Sequence, residues 1–186
     1  MTDSSTQPNL SLVRGAPSAE DFSGMYQRDY PYVWKTLVRL GIPTKDRQDV
    51  AHDVFVAAFR SWGQFDPSRP TRPWLFGISY RVALDRNRLH SHRFEETVDE
   101  LDAVDPSRSA EETAIHRQAL RQAQQALASL DLERRGVLVL HDIDGVPMPQ
   151  IAEVMGIPLN TAYSRLRLAR RDLNAAVAAL QQGAFR

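Results

Sequence analysis

Cysteine is absent from this chain of 186 residues. Its absence excludes disulfides, a thiolate nucleophile and zinc sites built on cysteine, so neither a redox switch nor a zinc finger is expected. The sequence also lacks any run approaching the ~20 consecutive apolar residues that a membrane helix needs. Its first residues lack the basic and then apolar layout of a secretory signal. We therefore expect a cytoplasmic protein with no membrane insertion.

Motifs typical of enzymes are missing as well. There is no glycine-rich phosphate loop, and no Ser, His and acid set stands in a catalytic motif. A metal-dependent helical hydrolase would have to use His52 and Asp53. These two residues are adjacent, and adjacent side chains on a helix diverge by about 100°, which disfavours a shared metal. We expect no enzymatic activity, no metal and no cofactor.

A net charge of one sign is also lacking, because 23 basic residues balance 23 acidic ones. This balance argues against a protein that coats nucleic acid without specificity. The charges are nevertheless separated along the chain. Residues 60–93 contain seven arginines and two acids, whereas residues 94–112 contain eight acids and one arginine. A basic segment is therefore followed by an acidic one.

Apolar spacing of three and four residues predicts helices in two parts of the chain. Residues 1–17 are polar and aperiodic, which indicates a disordered leader. Residues 18–92 contain three helical stretches: the first is capped by Ser18, kinked or divided at Pro31 and closed by Gly41, and the second is capped by Thr44. Residues 93–110 have the composition of a flexible acidic linker, and residues 111–186 contain a second helical module.

The end of the second module has the pattern of a helix-turn-helix. The sequence PMPQIAEVMGIPLNTAYSRLRLARRDL predicts a short helix, a turn at Gly156 and a long helix. Asn160, Ser164, Arg167 and Arg171 fall on the face of the long helix opposite its apolar stripe. Such a face can enter the major groove of DNA, although an ordinary helical hairpin would carry similar solvated arginines.

The loop and third helix of the first module interleave aromatic residues with arginines, in QFDPSRPTRPWLFGISYRVALDRNR. Single-stranded DNA is bound in this way, by stacking bases on aromatic rings while cations follow the backbone. Core packing of the aromatics, above all of Phe65 and Trp74, is the alternative. No strand periodicity stands out, so the fold class is all-α, with two small helical domains joined by the linker.

Residues 19–180 resemble the extracytoplasmic-function group of bacterial RNA polymerase sigma factors. DRQDVAHDVFVAAFRSW is similar to the conserved region 2 helix that docks on polymerase, and WLFGISYRVALDRNR is similar to the promoter-opening helix. LDLERRGVLVLHDIDGVPMPQIAEVMGIPLNTAYSRLRLARRDL is similar to region 4. The resemblance implies a sigma factor that binds core RNA polymerase and directs transcription initiation. The alternative is a free-standing helix-turn-helix transcriptional regulator, which the zero net charge disfavours.

The resemblance also implies which residues bind each partner. The residues assigned to polymerase binding are Asp49, Val50, His52, Asp53 and Phe55. Those assigned to opening and binding single-stranded minus 10 DNA are Arg69, Arg72, Trp74, Tyr80, Arg81, Arg86 and Arg88. Those assigned to duplex minus 35 DNA are Asn160, Thr161, Tyr163, Ser164, Arg165, Arg167 and Arg171. An anti-sigma factor that covers the polymerase-binding faces is the further partner that the family implies.

Three residues depart from the family pattern. Arg81 stands where similar proteins usually carry an asparagine that binds the flipped minus 10 base. Tyr163 replaces a usual lysine or arginine, and Leu168 replaces a usual arginine. We therefore expect the sigma factor scaffold with a promoter preference of its own.

Overall fold

A computed structural model describes residues 18–89 and 110–183. Within these ranges the chain forms seven α-helices, one 3₁₀ turn and one π-helical segment, with no β-strand. The predicted all-α fold is confirmed. The predicted leader and the predicted linker up to residue 109 lie outside the described residues.

The first helix, α1, spans Ala19–Leu40. Ser18 and Asp21 form a capping box, in which the Asp21 amide donates to Ser18 Oγ (3.2 Å) and the Ser18 amide donates to Asp21 Oδ2 (2.8 Å). Gly41, at φ 85°, ends the helix as predicted. Pro31 does not divide the helix. It lies on the exposed face, where water can replace the backbone hydrogen bond that proline removes.

Helices α2 (Thr44–Ser61) and α3 (Thr71–Leu89) complete the first module around a shared core. Thr44 does not cap α2 as expected. Pro43 occupies the N-cap position without a side-chain hydrogen bond, and Thr44 is the first helical residue. The core is formed by apolar side chains that all three helices bury completely: Val33, Leu37, Val50, Val54, Leu75 and Phe76. This packing fixes which faces of α2 and α3 remain at the surface.

The second module contains α4 (Ala110–Ala128), α5 (Leu132–Leu138), α6 (Met148–Met155) and α7 (Leu159–Gly183). Helix α5 continues into a π-helical segment, Val139–Ile143, so the winding changes within one continuous helical stretch. Gly156, at φ 65°, ends α6 and makes the turn into α7. Helices α6 and α7 form the predicted helix-turn-helix.

The two modules pack against each other: α3 contacts α6, and α1 contacts α4 and α5. A buried arginine joins them. Arg135, only 4% exposed, donates to the carbonyl oxygens of Leu40, Ala128 and Leu130, each at 2.7 Å. These carbonyls belong to the ends of α1 and α4 and to the turn before α5, where helix geometry leaves oxygens without partners. Burial lowers the pKa of Arg135 to about 10, so its guanidinium is charged at neutral pH.

Replacing Arg135 tests its structural role. Arg135→Met would leave three carbonyls without their donor, and we expect the free energy of unfolding to fall by about 3 kcal/mol or more. Urea denaturation followed by circular dichroism measures this change. The matched control is Arg134→Met on the same helix, which removes half-exposed ion pairs to Asp131 and Asp172. It should cost about 1 kcal/mol or less. Equal losses for the two variants would contradict the assigned role.

Candidate nucleic-acid interface

The outer face of α2 carries the predicted polymerase-binding acids. Asp49, His52 and Asp53 are exposed, and Asp53 Oδ2 lies 3.9 Å from Arg86 Nη1 of α3. Val50 and Phe55 are only 0% and 5% exposed, because their side chains pack in the core of the first module. Their side chains are therefore not accessible to a partner in this arrangement, and their contact with polymerase stays a prediction. The accessible part of the predicted surface is Asp49, His52 and Asp53.

The predicted minus 10 arginines lie along α3 and the loop before it, at different degrees of exposure. Arg69 and Arg72 are 60% and 63% exposed. Arg81 is exposed, and its Nε donates to the Gly77 carbonyl (3.1 Å). Arg86 is less exposed than these arginines, and its Nη2 lies 3.3 Å from Asp46 Oδ1. Arg88 lies in α3, but its side chain is outside the described part of the structure.

A buried carboxylate beneath the loop contacts one of these arginines, Arg72, and the first residue of α3. Asp29 of α1 is 1% exposed and accepts a hydrogen bond from Thr71 Oγ1 (2.8 Å), at the start of α3. Arg28 donates to the same carboxylate at 2.8 Å, and Arg72 Nε lies 3.5 Å from it. Burial raises the pKa of Asp29, but the hydrogen bonds from Arg28 and Thr71 outweigh burial and the net pKa is lowered. Asp29 is therefore ionised at neutral pH and holds the first turn of α3.

Most of the aromatic residues near α3 belong to packed clusters. Phe65 is 8% exposed and its ring centre lies 4.7 Å from that of the half-buried Trp74. Trp62 stacks on Phe65 at 5.2 Å. Tyr80 is 4% exposed, so its predicted contact with single-stranded DNA is not available in this arrangement. Trp74 alone among the predicted aromatic contacts keeps a partly exposed ring.

The first turns of α7 present a polar face to the surface. Asn160, Tyr163, Ser164, Arg167 and Arg171 are exposed, and Tyr163 is 53% exposed. Thr161 is half-buried, and its carbonyl accepts a hydrogen bond from Ser164 Oγ (2.9 Å). Ala162, Leu166 and Ala169 point inward and fix the rotation of the helix. Side chains that recur every three or four residues on this outer face suit the major groove.

The arginines of α7 divide between internal and external roles. Arg165 forms an ion pair with Glu133 and is only 20% exposed. Arg170 donates to both oxygens of Asp142, at 2.6 and 2.9 Å, and thereby joins α7 to the π-helical segment. Arg171 pairs with the neighbouring Asp172 and is 66% exposed. Arg167 is exposed and has no hydrogen bond or ion pair with the described residues.

The positions of these surfaces agree with two family matches. Residues 25–93 match the family model of Sigma-70 region 2, and residues 120–173 match that of Sigma-70, region 4. The sigma factor CnrH of Cupriavidus metallidurans is 33% identical over 143 residues, which cover 73% of this chain and 75% of that protein. The chain belongs to the sigma-70 family. It is an extracytoplasmic-function sigma factor, and its function is to direct transcription initiation by RNA polymerase.

Further relatives cover nearly all of this sigma factor. SigL of Mycobacterium tuberculosis is 29% identical over 171 residues, covering 88% of this chain and 94% of that one. The solved structure of CnrH in complex with the cytosolic domain of CnrY has a TM-score of 0.60, at 28% identity, and covers 87% of this chain and 90% of CnrH. The solved structure of RpoE of Bartonella quintana in complex with the anti-sigma factor NepR has a TM-score of 0.65 at 21% identity. The match covers 86% of this chain and 98% of RpoE, and it supports the fold.

Several residues that shape the sigma factor's surfaces were not singled out from the sequence. Arg135, Asp144 and Glu153 make contacts between the modules, and Gly77 permits a close approach. Arg135 could have been noticed as an arginine at the start of the apolar run GVLVL. The described residues contain no group of three or more potential metal ligands, and no helix among them is both long and apolar enough to cross a membrane.

The Asp142–Arg170 pair predicts a pH dependence. The Arg170 guanidinium lowers the pKa of Asp142 to about 2, with His141 adding to the effect. Because the folded pKa lies below the ordinary value of 3.8, the pair stabilises the fold above about pH 4, and this contribution is lost as the pH falls toward 2. In a titration of the carboxyl carbon by NMR, Arg170→Ala should move the Asp142 pKa back toward its ordinary value. Arg171→Ala should leave it unchanged, and an unaltered pKa in Arg170→Ala would contradict the assignment.

Proposed function

We propose that residues 18–92 form a polymerase-docking and minus 10 module, and that residues 111–186 form a minus 35 module, joined by a linker at 93–110. The observation that carries this assignment is the outer face of α7, where Arg167 stands exposed after the helix-turn-helix turn. Its exposed neighbours can reach base edges and phosphates in a major groove. In this proposal α2 binds core polymerase through Asp49, His52 and Asp53, while α3 and its loop bind the opened minus 10 strand.

Opening the minus 10 element requires a base to leave the stack, which costs a few kcal/mol. Stacking and cationic contacts must offset that cost. Arg69, Arg72 and Arg81 supply exposed cations, and the partly exposed ring of Trp74 supplies a stacking surface. Arg81 replaces the asparagine usual in similar proteins, so we propose that it contributes to a base preference specific to this sigma factor.

The partners follow from the same proposal. Core RNA polymerase and promoter DNA are those of the family, and the complexes of CnrH with CnrY and of RpoE with NepR support an anti-sigma factor as a third. Sigma factors are regulatory subunits, and we propose that this one has no catalytic chemistry of its own. Its site of action is then the cytoplasm, where the polymerase works. A free-standing regulator is not favoured, because it would leave the region 2 match unexplained.

The primary test is assembly with bacterial core RNA polymerase. The purified protein should comigrate with core enzyme in size-exclusion chromatography, and the complex should transcribe from DNA upstream of the protein's own gene. Neither component alone should give that transcript. Failure to comigrate, with tight duplex binding by the protein alone, would contradict the proposal and favour the regulator.

The polymerase surface is tested by charge reversal on α2. Asp49→Lys and Asp53→Lys should each weaken core binding about ten-fold, or ~1.4 kcal/mol, because they place a cation where an acid contacts the partner. Fluorescence titration of labelled protein with core enzyme measures the affinity. Glu20→Lys makes an equal charge change on an exposed residue of the same module and serves as the control. Unchanged affinity in the α2 variants would mean that these acids are only solvated and do not contact polymerase.

The minus 35 surface is tested on α7 with three arginines. Arg167→Ala and Arg171→Ala should each weaken use of the minus 35 element about ten-fold, or ~1.4 kcal/mol, while core binding stays intact. Arg170→Ala is the matched control, because Arg170 points to Asp142 instead of outward. Footprinting of the holoenzyme on promoter fragments measures the effect. Loss of holoenzyme assembly in Arg167→Ala or Arg171→Ala would contradict the assignment of this face.

A further inference from the structure

Arg28 of α1 was not assigned to DNA from the sequence, yet it lies beside the predicted minus 10 residue Arg72. Arg28 Nη2 and Nε donate to Asp29 Oδ2 at 2.8 and 3.2 Å. Arg72 Nε lies 3.5 Å from the other oxygen, Asp29 Oδ1. The two arginine side chains are 60% and 63% exposed, so part of each guanidinium faces solvent. One carboxylate therefore holds two surface cations, one on each oxygen.

The carboxylate between the two arginines is built into the fold. Asp29 is 1% exposed, and an unpaired charge at such a depth would be costly. Thr71 Oγ1, at the start of α3, donates to Asp29 Oδ2 at 2.8 Å and accepts from Arg28 Nη2 at 3.3 Å. The hydroxyl thus joins α1 to α3 in the same network. Because Asp29 requires these donors, it restricts the directions that the two guanidinium groups can take.

Two further features restrain Arg72. Its guanidinium carbon lies 5.4 Å from the centre of the Tyr32 ring, which is a cation–π distance. Pro70 and Pro73 flank this part of the chain, and the fixed φ of proline limits the freedom of the backbone. Beyond Asp29 and Tyr32, no hydrogen bond or ion pair of Arg72 is found among the described residues. Its outer edge is therefore held in place and available to a ligand, at a small further cost in side-chain freedom.

The surroundings of the two arginines are strongly basic. Both line a cleft of about 620 Å³. The charged residues of its lining are four cations and one acid: Arg28, Lys35, Arg39, Arg72 and Asp144. Asp144 already pairs with Arg39 at 3.1 Å, and the exposed Lys35 has no hydrogen bond or ion pair with the described residues. In a chain of zero net charge, this cleft concentrates positive potential where an anion can approach.

We propose that Arg28 and Arg72 form a clamp for one backbone phosphate of the opened minus 10 DNA, and that Asp29 is the positioning residue for both guanidinium groups. The inference rests on the proposed function of α3. Guanidinium groups bind phosphate through parallel N–H donors, and this geometry requires their planes to be held in a fixed direction. A phosphate contact carries no base information, so the clamp fixes the register of the strand beside Trp74.

Neutral phosphates locate the clamp directly. The complex of this protein with core RNA polymerase is titrated with a promoter fragment whose minus 10 element is already unpaired, and each phosphate there is replaced in turn by methylphosphonate. We expect one replacement to weaken binding about ten-fold for the wild-type protein. In Arg28→Ala/Arg72→Ala the same replacement should change the affinity by no more than about two-fold. Arg121→Ala, which removes an exposed cation of α4, is the control and should keep the full effect.

A double-mutant cycle separates positioning by Asp29 from a merely structural role. Asp29→Asn keeps the shape of the side chain and removes its charge, and we expect it to weaken binding of the same fragment about five-fold. In the Arg28→Ala/Arg72→Ala background it should cause no further loss, because Asp29 acts through those arginines. Affinity for core polymerase should stay unchanged in every variant. Thr71→Val removes only the hydroxyl contact and gives a second cycle, with a smaller loss, in case Asp29→Asn does not fold.

Each part of the proposal has a result that would overturn it. If no phosphate depends on Arg28 and Arg72, there is no clamp. Equal losses for Asp29→Asn in the two backgrounds would mean that Asp29 only stabilises the fold. Saturable binding of inorganic pyrophosphate by the free protein, with no phosphate of the DNA depending on the arginines, would assign the cleft to a free phosphate ligand instead. If the wild-type complex fails to bind the opened DNA at all, the proposed function is refuted and the clamp with it.

Discussion

The buried guanidinium of Arg135 is the interaction on which the arrangement of the modules depends. One cation satisfies carbonyl oxygens from the end of α1, the end of α4 and the turn before α5. Those oxygens belong to helix ends, where the backbone has no partner of its own. Because Arg135 is anchored within the second module by two of the three bonds, the third bond to Leu40 sets where α5 sits against α1. The positions of α6 and α7 follow from α5.

The arginines at the surface of α7 also differ in the partners that they contact. Arg165 and Arg170 of α7 pair with acids of α5 and of the π-helical segment, whereas Arg167 and Arg171 lie on the outer face, where Arg171 pairs only with its neighbour Asp172. A helix of this composition could present its cations in several directions. The buried stripe of Ala162, Leu166 and Ala169 sets the rotation of the helix, and this rotation places Arg167 and Arg171 on the face proposed to bind DNA.

The balanced net charge and the packing of the modules both affect how strongly the chain attracts nucleic acid. Zero net charge removes the general attraction to phosphate. Contacts such as that between Arg69 and Glu153 go further, because they pair individual cations of the proposed DNA surface with acids of the other module.

The helices, their order and the family could all be predicted from the amino-acid sequence. The signals that predict them are local: apolar spacing of three and four residues, the caps at Ser18 and Gly41 and the turn at Gly156. Such signals can be recognised in the sequence because they arise from hydrogen bonding and steric limits among neighbouring residues. Thr44 does not cap α2 and Pro31 does not divide α1, because capping and helix breaking also depend on the neighbouring chain and on solvent. The burial of Val50, Phe55 and Tyr80 could not be predicted in this way, and neither could the contacts that Arg135, Asp144 and Glu153 make between the modules. Those contacts link residues far apart in sequence, and apolar periodicity carries no information about which distant surface will meet a given face.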